Sequence, residues 1–348
     1  MDIAIVSAHD VAPETPALAR ELAREHNVTV YTRSAIGGVG VERISAGPAG
    51  ELSEPELVPY ISDFSAALKR RWAISRPDVI HAHSWTSGLA AIAGSEGLNV
   101  PVTQTFHETA GGSTAPVLRL ERAIGRRART VIATCAAEES ALIRLGVPRK
   151  NIAVVPSGVD VEVFRRQGPA MPRGERPRLL HVGHLGAPAA IRALASVPEA
   201  ELVVAGGQEP DVERLHIVAG EHCVADRVVL LGHVQHDTMP RLMRSADVVL
   251  TLPSAAPVGM VALEAMACGV PVIASAVDAH LDSVIHGVTG YLVGVNRQAD
   301  LVGRVRELLG DRTMRTAIGY AGVDRARSRY SLERISAELL RVYENACA

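Results

Sequence analysis

The sequence predicts an α/β protein with two domains, each built around a parallel β-sheet. The chain has 348 residues, which is too many for one ordinary hydrophobic core. Short apolar runs alternate with helical patterns along its length, which is typical of strands joined by crossover helices. A polar stretch rich in proline and glycine, at 165–177, interrupts this alternation near the middle of the chain. We therefore predict two α/β domains joined by a linker at 165–177.

The first domain is predicted at 1–164. Apolar runs rich in valine, isoleucine and threonine predict its strands at 3–7, 28–32, 79–82, 102–106, 130–134 and 152–155. Helical segments are expected between these strands, among them 16–25, 58–75 and 115–127.

The second domain is predicted at 178–328. Its strands are expected at 179–182, 201–205, 228–231, 248–252 and 270–274, with helices starting at Ala189, Asp211, Met239, Gly259 and Ala299. The last segment, 329–348, is expected to be a helix that packs back on the first domain. Two such domains commonly bind ligands in the cleft between them, where the carboxyl ends of the strands converge. We therefore expect the functional site there.

Composition excludes several classes of partner. The net charge of −2 gives no reason to expect nucleic acid or an anionic membrane as the main partner. No stretch approaches the roughly 18 uninterrupted apolar residues of a membrane span. The four cysteines have no paired spacing, and the first predicted strand follows Met1 without a basic leader. We therefore expect a cytoplasmic protein with reduced thiols, and the oligomeric state is left open.

One carboxylate, Glu264, stands in an apolar helical segment that follows a loop of proline, serine and glycine. A carboxylate in such a helix costs desolvation energy unless something binds it. The helix start at Gly259, Met260 and Val261 offers free N–H groups and the positive end of the helix dipole to an anion. We predict a phosphate at this helix start, with hydroxyl groups of the same ligand bound to Glu264.

The run 253–274, with Leu-Glu-Ala-Met-Ala-Cys-Gly-Val-Pro-Val at 263–272, resembles the donor-site signature of retaining GT-B glycosyltransferases. The branch with sucrose-phosphate synthase and mycothiol glycosyltransferase is the most similar in motif. Other segments resemble the same family in the same order, at 76–88, 101–107, 156–160, 232–234, 244–248 and 282–293. The resemblance implies the GT-B fold, in which two Rossmann-like domains face each other across a cleft.

The resemblance also implies an activity. The expected reaction moves a sugar, with retention and without a metal, from a nucleoside-diphosphate sugar to a small-molecule acceptor. A UDP-sugar is the favoured donor, and no cofactor is implied. His107 is implied to be catalytic, by hydrogen bonding to the sugar or the donor phosphate. The implied donor-binding residues are Gly183, His184, Gly232, His233, Val234, Gly259, Met260, Val261 and Glu264. The residues expected on the acceptor side are His9, His83 and Trp85.

The chain departs from the family pattern where the donor's phosphates and sugar would bind. His184 replaces an arginine, Ala189 replaces a lysine, and Ala256 replaces a glutamate that usually holds hydroxyls of the transferred sugar. The glycine pair expected after the first strand is also absent from 8–15. In an active transferase, other arginines or a protonated His184 must then neutralise the leaving diphosphate. The alternative is a degenerate GT-B protein that binds a nucleotide sugar or a partner without transfer.

Two further interpretations are weighed against the residues. A GT-B phosphorylase that uses pyridoxal phosphate is excluded, because the only lysines are Lys69 and Lys150 and the Schiff base would need a lysine in the C-terminal half. A metal site is not expected, although His81, His83 and His107 superficially resemble metal ligands, because no tight spacing supports one. His81 and His83 are expected to face opposite sides of their strand.

Overall fold

The computed structural model describes the chain apart from residues 10–14, 34–39, 49, 51, 108–113 and 257. It forms two compact units. The first unit combines Met1–Ser157 with Leu332–Ala348, and the second is Gly158–Ser331.

The first unit contains a seven-stranded sheet in which every pair of neighbouring strands is parallel. Its strands are β1 (Asp2–Ser7), β2 (Asn27–Thr32), β3 (Val41–Arg43), β4 (Val79–His83), β5 (Val102–Thr105), β6 (Thr130–Ala133) and β7 (Ile152–Val154). The helices before the second unit are α1 (Thr15–Leu22), α2 (Glu54–Leu57), α3 (Ile61–Ile74), α4 (Trp85–Gly94), α5 (Ala115–Arg127) and α6 (Ala136–Leu145). The strand order is β3-β2-β1-β4-β5-β6-β7. The sequence had not indicated β3, which has only three residues, none of them buried.

The second unit contains a six-stranded parallel sheet in the order β10-β9-β8-β11-β12-β13. Its strands are β8 (Arg178–Val182), β9 (Glu201–Ala205), β10 (Val228–Leu230), β11 (Val248–Thr251), β12 (Val272–Ser275) and β13 (Gly290–Val293). Its helices are α7 (Ala187–Ala195), α8 (Glu209–Glu221), α9 (Met239–Arg244), α10 (Met260–Ala267), α11 (Asp278–Ser283), α12 (Gln298–Gly310) and α13 (Arg312–Tyr330). The fold class is therefore the predicted one, two parallel-sheet α/β units.

The strands read as unbroken apolar runs because both faces of each sheet are covered. In the second unit, Leu179 and Leu250 belong to one buried cluster, whereas Leu180 and Val249 belong to another. Successive side chains of a strand point to opposite faces. Residues on both faces of these strands therefore enter a core.

The C-terminal helix α14 (Leu332–Cys347) belongs to the first unit. Its apolar residues Ile335, Leu339 and Tyr343 are buried in one cluster with Ile3 and Ile5 of β1. Among the described residues, no helix has the length and apolar character needed to cross a membrane.

The stretch 165–177, predicted as a linker, lies within the second unit. Proline-rich backbone has carbonyl groups but few N–H donors, and nearby side chains supply the missing donors here. Arg244 donates to the Pro169 carbonyl at 2.8 Å, and Arg178 donates to the Pro172 carbonyl at 3.2 Å. The chain therefore passes between the units at 157–158 and again at 331–332.

In both sheets, the order in which strands are added reverses at a central pair of neighbouring strands. The order places β1 beside β4 in the first unit and β8 beside β11 in the second. Ligands of open parallel sheets bind outside the carboxyl ends of the strands at such a point. The loops that follow β1, β4, β8 and β11 are therefore the expected ligand-binding positions.

Candidate functional site

Three loops of the second unit meet through their backbones at the carboxyl edge of the sheet. The N–H of Gly183, after β8, donates to the Ala205 carbonyl at 2.7 Å. The N–H of Gly206, after β9, donates to the Gly232 carbonyl at 2.6 Å. A side chain on Gly206 would lie only 3.0 Å from the Gly183 α-carbon. The absence of a side chain at Gly206 therefore lets the loops after β8 and β9 approach one another.

The residues beside these glycines are more exposed. The Nδ1 of His184 lies 3.9 Å from the Oδ2 of Asp211 on α8, and 45% of its side chain is exposed. His233 is exposed, and Val234 packs partly against the core. The sequence analysis had not connected His184 with a carboxylate.

Glu264 lies next to the loop that was predicted to hold the nucleobase. Its residue surface is 5% exposed, and its Oε1 lies 3.9 Å from the Nδ1 of His236. His236 follows the segment 232–234, and its ring centroid is 5.3 Å from that of Phe164. The fold thus brings together two segments that are about thirty residues apart. His236 was missed by the sequence analysis because it matches no motif.

The start of α10 is shaped by Gly259, which has a φ of 67° and precedes Met260. This left-handed conformation favours glycine. The preceding loop is tied to α11, because the N–H of Ala256 donates to the Oδ2 of Asp278 at 2.8 Å. A carboxylate therefore contacts the backbone at Ala256, where the family pattern has a glutamate.

Three residues other than glycine, each within three positions after the end of an inner strand, have a positive φ. They are Ser84 after β4, His107 after β5 and Asp278 after β12, with φ of 72°, 63° and 40°. Such conformations cost about 1–3 kcal/mol each and cluster at functional sites. The strain at His107 therefore supports a role for the loop that carries it.

A cavity of about 260 Å³ lies at the carboxyl edge of the second sheet. It is lined by parts of the loops after β8, β11, β12 and β13. Its polar lining includes Ser254, Ser275, Arg192, Asn296, Arg297 and Gln298, and Ala189 forms part of the wall. The sequence analysis had identified only Ala189 among these.

In the first unit, three histidines and a tyrosine form a continuous chain. The Nδ1 of His83 lies 2.7 Å from the Nε2 of His107, and the two rings stack with centroids 5.0 Å apart. The Nδ1 of His81 lies 2.7 Å from the hydroxyl of Tyr343, and its Nε2 lies 2.8 Å from the Oγ1 of Thr105. The catalytic candidate His107 is thus connected to the interior of the unit.

Burial keeps the two inner histidines neutral. Desolvation, with a smaller contribution from His107, lowers the pKa of His81 to about 3. Desolvation, followed by the charges of His81 and His107, lowers the pKa of His83 well below its usual value. Within the described residues, the Nε2 of His83 is buried without a hydrogen-bond partner.

The expectation that His81 and His83 face opposite sides was wrong. Their ring centroids are 4.2 Å apart. Residues i and i+2 of a strand share a face, because successive side chains alternate.

The other predicted acceptor-side residues are placed differently. His9 is partly buried directly after β1. Trp85 is 6% exposed and packs in a core cluster with Phe106 and Ile124. Its side chain offers little surface to an acceptor. No group of three or more histidine, cysteine or acidic side chains in the described part of the chain could hold a metal ion.

Comparisons with known families match both units. Residues 17–163 match the model of glycosyltransferase family 4, and residues 173–325 match the model of glycosyl transferases group 1.

Relatives and solved structures extend the match to the whole chain. The chain is 30% identical to a D-inositol 3-phosphate glycosyltransferase of Acidothermus cellulolyticus over 95% of this chain and 84% of that protein. It is 32% identical to a D-inositol 3-phosphate glycosyltransferase of Mycobacterium sp. (strain JLS), over 80% of this chain and 71% of that protein. Its fold is similar to that of a sucrose-phosphate synthase from Thermosynechococcus elongatus, with a TM-score of 0.87, 26% identity and coverage of 99% and 98%.

A further solved structure is similar in fold. It is Anabaena Alr3699/HepE in complex with UDP and glucose, with a TM-score of 0.82, 21% identity and coverage of 98% of both chains. The two family matches, the 30% identity over nearly the full length and the two parallel-sheet units lead to one conclusion: the chain belongs to the group 1 glycosyltransferases and has the GT-B architecture.

Proposed function

We propose that the protein transfers a sugar, with retention and without a metal ion, from a UDP-sugar to a small hydroxylated acceptor. The observation that carries the proposal is the position of Glu264. This buried carboxylate lies 3.9 Å from His236, beside the loop at 232–234, in a helix that starts at the carboxyl edge of the sheet. A buried carboxylate at such an edge is suited to bind hydroxyl groups.

In the donor site, Glu264 binds the ribose hydroxyls. The base lies beside Gly232, His233 and Val234 and is held largely by backbone groups. The first residues of α10, from Gly259 to Val261, receive the diphosphate. Free N–H groups at a helix start and the helix dipole favour an anion there.

In the reaction, the bond between the sugar carbon and the donor phosphate breaks, and the diphosphate leaves with the bonding electrons. The start of α10 stabilises the charge that develops on this leaving group. The sugar carbon becomes oxocarbenium-like and receives the acceptor hydroxyl on the face that the diphosphate leaves. The acceptor proton must move to a base, for which a leaving phosphate oxygen is chemically sufficient.

His107 is the proposed catalytic residue, by hydrogen bonding to the sugar or the donor phosphate. Neutral His83 supports this role through the 2.7 Å contact between its Nδ1 and the Nε2 of His107. If His83 accepts this hydrogen bond, the Nε2 of His107 carries a proton.

The donor and acceptor are proposed from the relatives. UDP is the first nucleotide to test, because a protein of similar fold was solved with UDP and glucose. A polyol phosphate is the first acceptor to test, because the relatives at 30% and 32% identity are named for D-inositol 3-phosphate. Because residues 184, 189 and 256 depart from the family pattern, the transferred sugar need not be the one that such relatives use.

The proposal is tested in two steps. A thermal-shift screen against UDP, GDP, ADP and dTDP should raise the melting temperature with UDP, because a ligand that binds only the folded state stabilises it. Incubation with UDP-glucose, with and without inositol phosphate, should then release UDP in the presence of EDTA. NMR of the product should show the anomeric configuration of the donor. Binding of UDP without hydrolysis or transfer of any common UDP-sugar would instead favour the degenerate binder.

A further inference from the structure

The cavity of about 260 Å³ in the second unit combines three features that no motif predicted. It lies at the carboxyl edge of the sheet, where β8 and β11 are neighbours. Among the residues that the structure describes, two arginines, Arg192 and Arg297, line it, and no aspartate or glutamate does. Its volume is below the roughly 300–1,000 Å³ of pockets that hold whole drug-sized ligands. The cavity therefore suits one anionic group of a larger ligand.

Both arginines are available for such a group. Among the described residues, neither guanidinium has a hydrogen bond or an ion pair, and both residues are exposed. In contrast, Arg178, Arg227 and Arg315 of the same unit each bind several protein groups. The guanidinium groups of Arg192 and Arg297 are thus available to bind a ligand.

The position of Arg192 is related to that of Ala189. The two residues are three apart on α7 and therefore lie on the same face of the helix. Ala189 forms part of the cavity wall, and a long side chain there would reduce the cavity. Arg297 reaches the same cavity from the residue before α12. Gln298, which donates to the Ala189 carbonyl at 3.1 Å, ties the start of α12 to α7.

We propose that Arg192 and Arg297 bind a phosphate group of the nucleoside-diphosphate donor in this cavity, with Ser254 as a neutral hydrogen-bond donor. The inference rests on the proposed function, since the phosphate is that of the donor. The positive charge that neutralises the phosphate then comes from Arg192, in the second turn of α7, and from Arg297, at the start of α12. Arginine suits this task because its planar fork matches phosphate oxygens.

The test compares ligands that differ only in phosphate. Affinities for UDP, UMP and uridine are measured by calorimetry for the wild type, Arg192→Ala, Arg297→Ala and Arg312→Ala. Arg312 is the matched control, because it is exposed, belongs to the same unit and does not line the cavity. Each cavity variant should weaken UDP binding about tenfold or more and leave uridine binding unchanged, as expected for the loss of a charge-assisted hydrogen bond. Arg312→Ala should change neither.

A further variant changes Ala189, a residue of the cavity wall. Ala189→Glu places an anion beside both arginines and should abolish UDP binding while preserving uridine binding and the circular dichroism spectrum. Wild-type binding of UDP that neither arginine variant weakens would overturn this inference and leave the proposed function intact. If the wild type binds no UDP, GDP, ADP or dTDP, the proposed function fails, and this inference fails with it.

Discussion

At the scale of single residues, Glu264 is the polar group in an apolar helix that marks a candidate site. The sequence identified it because a carboxylate among apolar residues is costly to bury. The structure buries it and places it near His236, a contact that no local pattern predicts. Glu264 could therefore be predicted as a candidate from the sequence, whereas its contact with His236 could not.

The first prediction concerns the charge of Glu264. Glu264→Gln should weaken UDP binding by about 1.5–3 kcal/mol, because a charge-assisted hydrogen bond to the ribose is lost. Isothermal titration calorimetry measures the change. Glu201→Gln is the matched control, since Glu201 pairs with Arg178 at 2.6 Å at the amino end of its strand. The control should lower stability without changing UDP affinity, and equal affinity in both variants would contradict the assignment.

The second prediction concerns His83 and His107. His107→Ala and His83→Ala should each slow the hydrolysis of UDP-glucose, by roughly ten- to a hundredfold for His107. The double variant should lose little more than His107→Ala, because residues that act as a unit are not additive. His216, exposed on α8, serves as the control. Fully additive losses would show that His83 does not act through His107.

At the scale of elements, the loops at the carboxyl edge depend on glycines with a specific conformation. Gly259 begins α10 with a φ of 67°, and a side chain there would lie 3.2 Å from the Cβ of Ala279. The sequence predicted the helix and its start, because a Pro/Gly loop precedes an apolar run. Only the structure revealed that this glycine is also packed against α11.

The third prediction follows from this geometry. Gly259→Ala should lower the free energy of unfolding by about 1–2 kcal/mol, the cost of a left-handed residue with a side chain. It should also weaken UDP binding. Gly303→Ala, in an exposed turn of α12 with open space around it, should stabilise the protein by about 0.5–1 kcal/mol. Urea denaturation of both variants measures the difference, and equal stabilities would contradict the account.

At the scale of the whole molecule, buried histidines couple stability to pH in each unit. Burial lowers the pKa of His81 to about 3 and that of His181 to about 4. Unfolding restores values near 6.5, so the unfolded chain binds more protons below that pH. Stability should therefore be greatest above about pH 6.5 and fall as the pH falls toward the folded values.

The fourth prediction states how much the free energy of unfolding should change with pH. Between pH 7.5 and pH 5, each of the two histidines should cost about 2 kcal/mol of unfolding free energy. His81→Gln should reduce the pH dependence, although its absolute stability falls through the lost contacts to Tyr343 and Thr105. Urea denaturation at both pH values provides the measurement. The same pH dependence in variant and wild type would contradict the role of His81.

The sequence by itself predicted most strands, most helices and the family, but it did not predict β13 (Gly290–Val293). These features depend on residues close in the chain, because periodicity and turn chemistry act over a few positions. The short strand β3 was not predicted because three residues, none of them buried, carry no such pattern.

Only the tertiary structure decided which distant residues meet. Strand order brings His83 to His107, and it gathers Arg192 and Arg297 around one cavity. Helix packing assigns α14 to the first unit, where Tyr343 contacts His81. These contacts join residues up to 262 positions apart. They arise because packing sets helices against strands, and parallel strands place their carboxyl ends at one edge, whatever the separation in the chain.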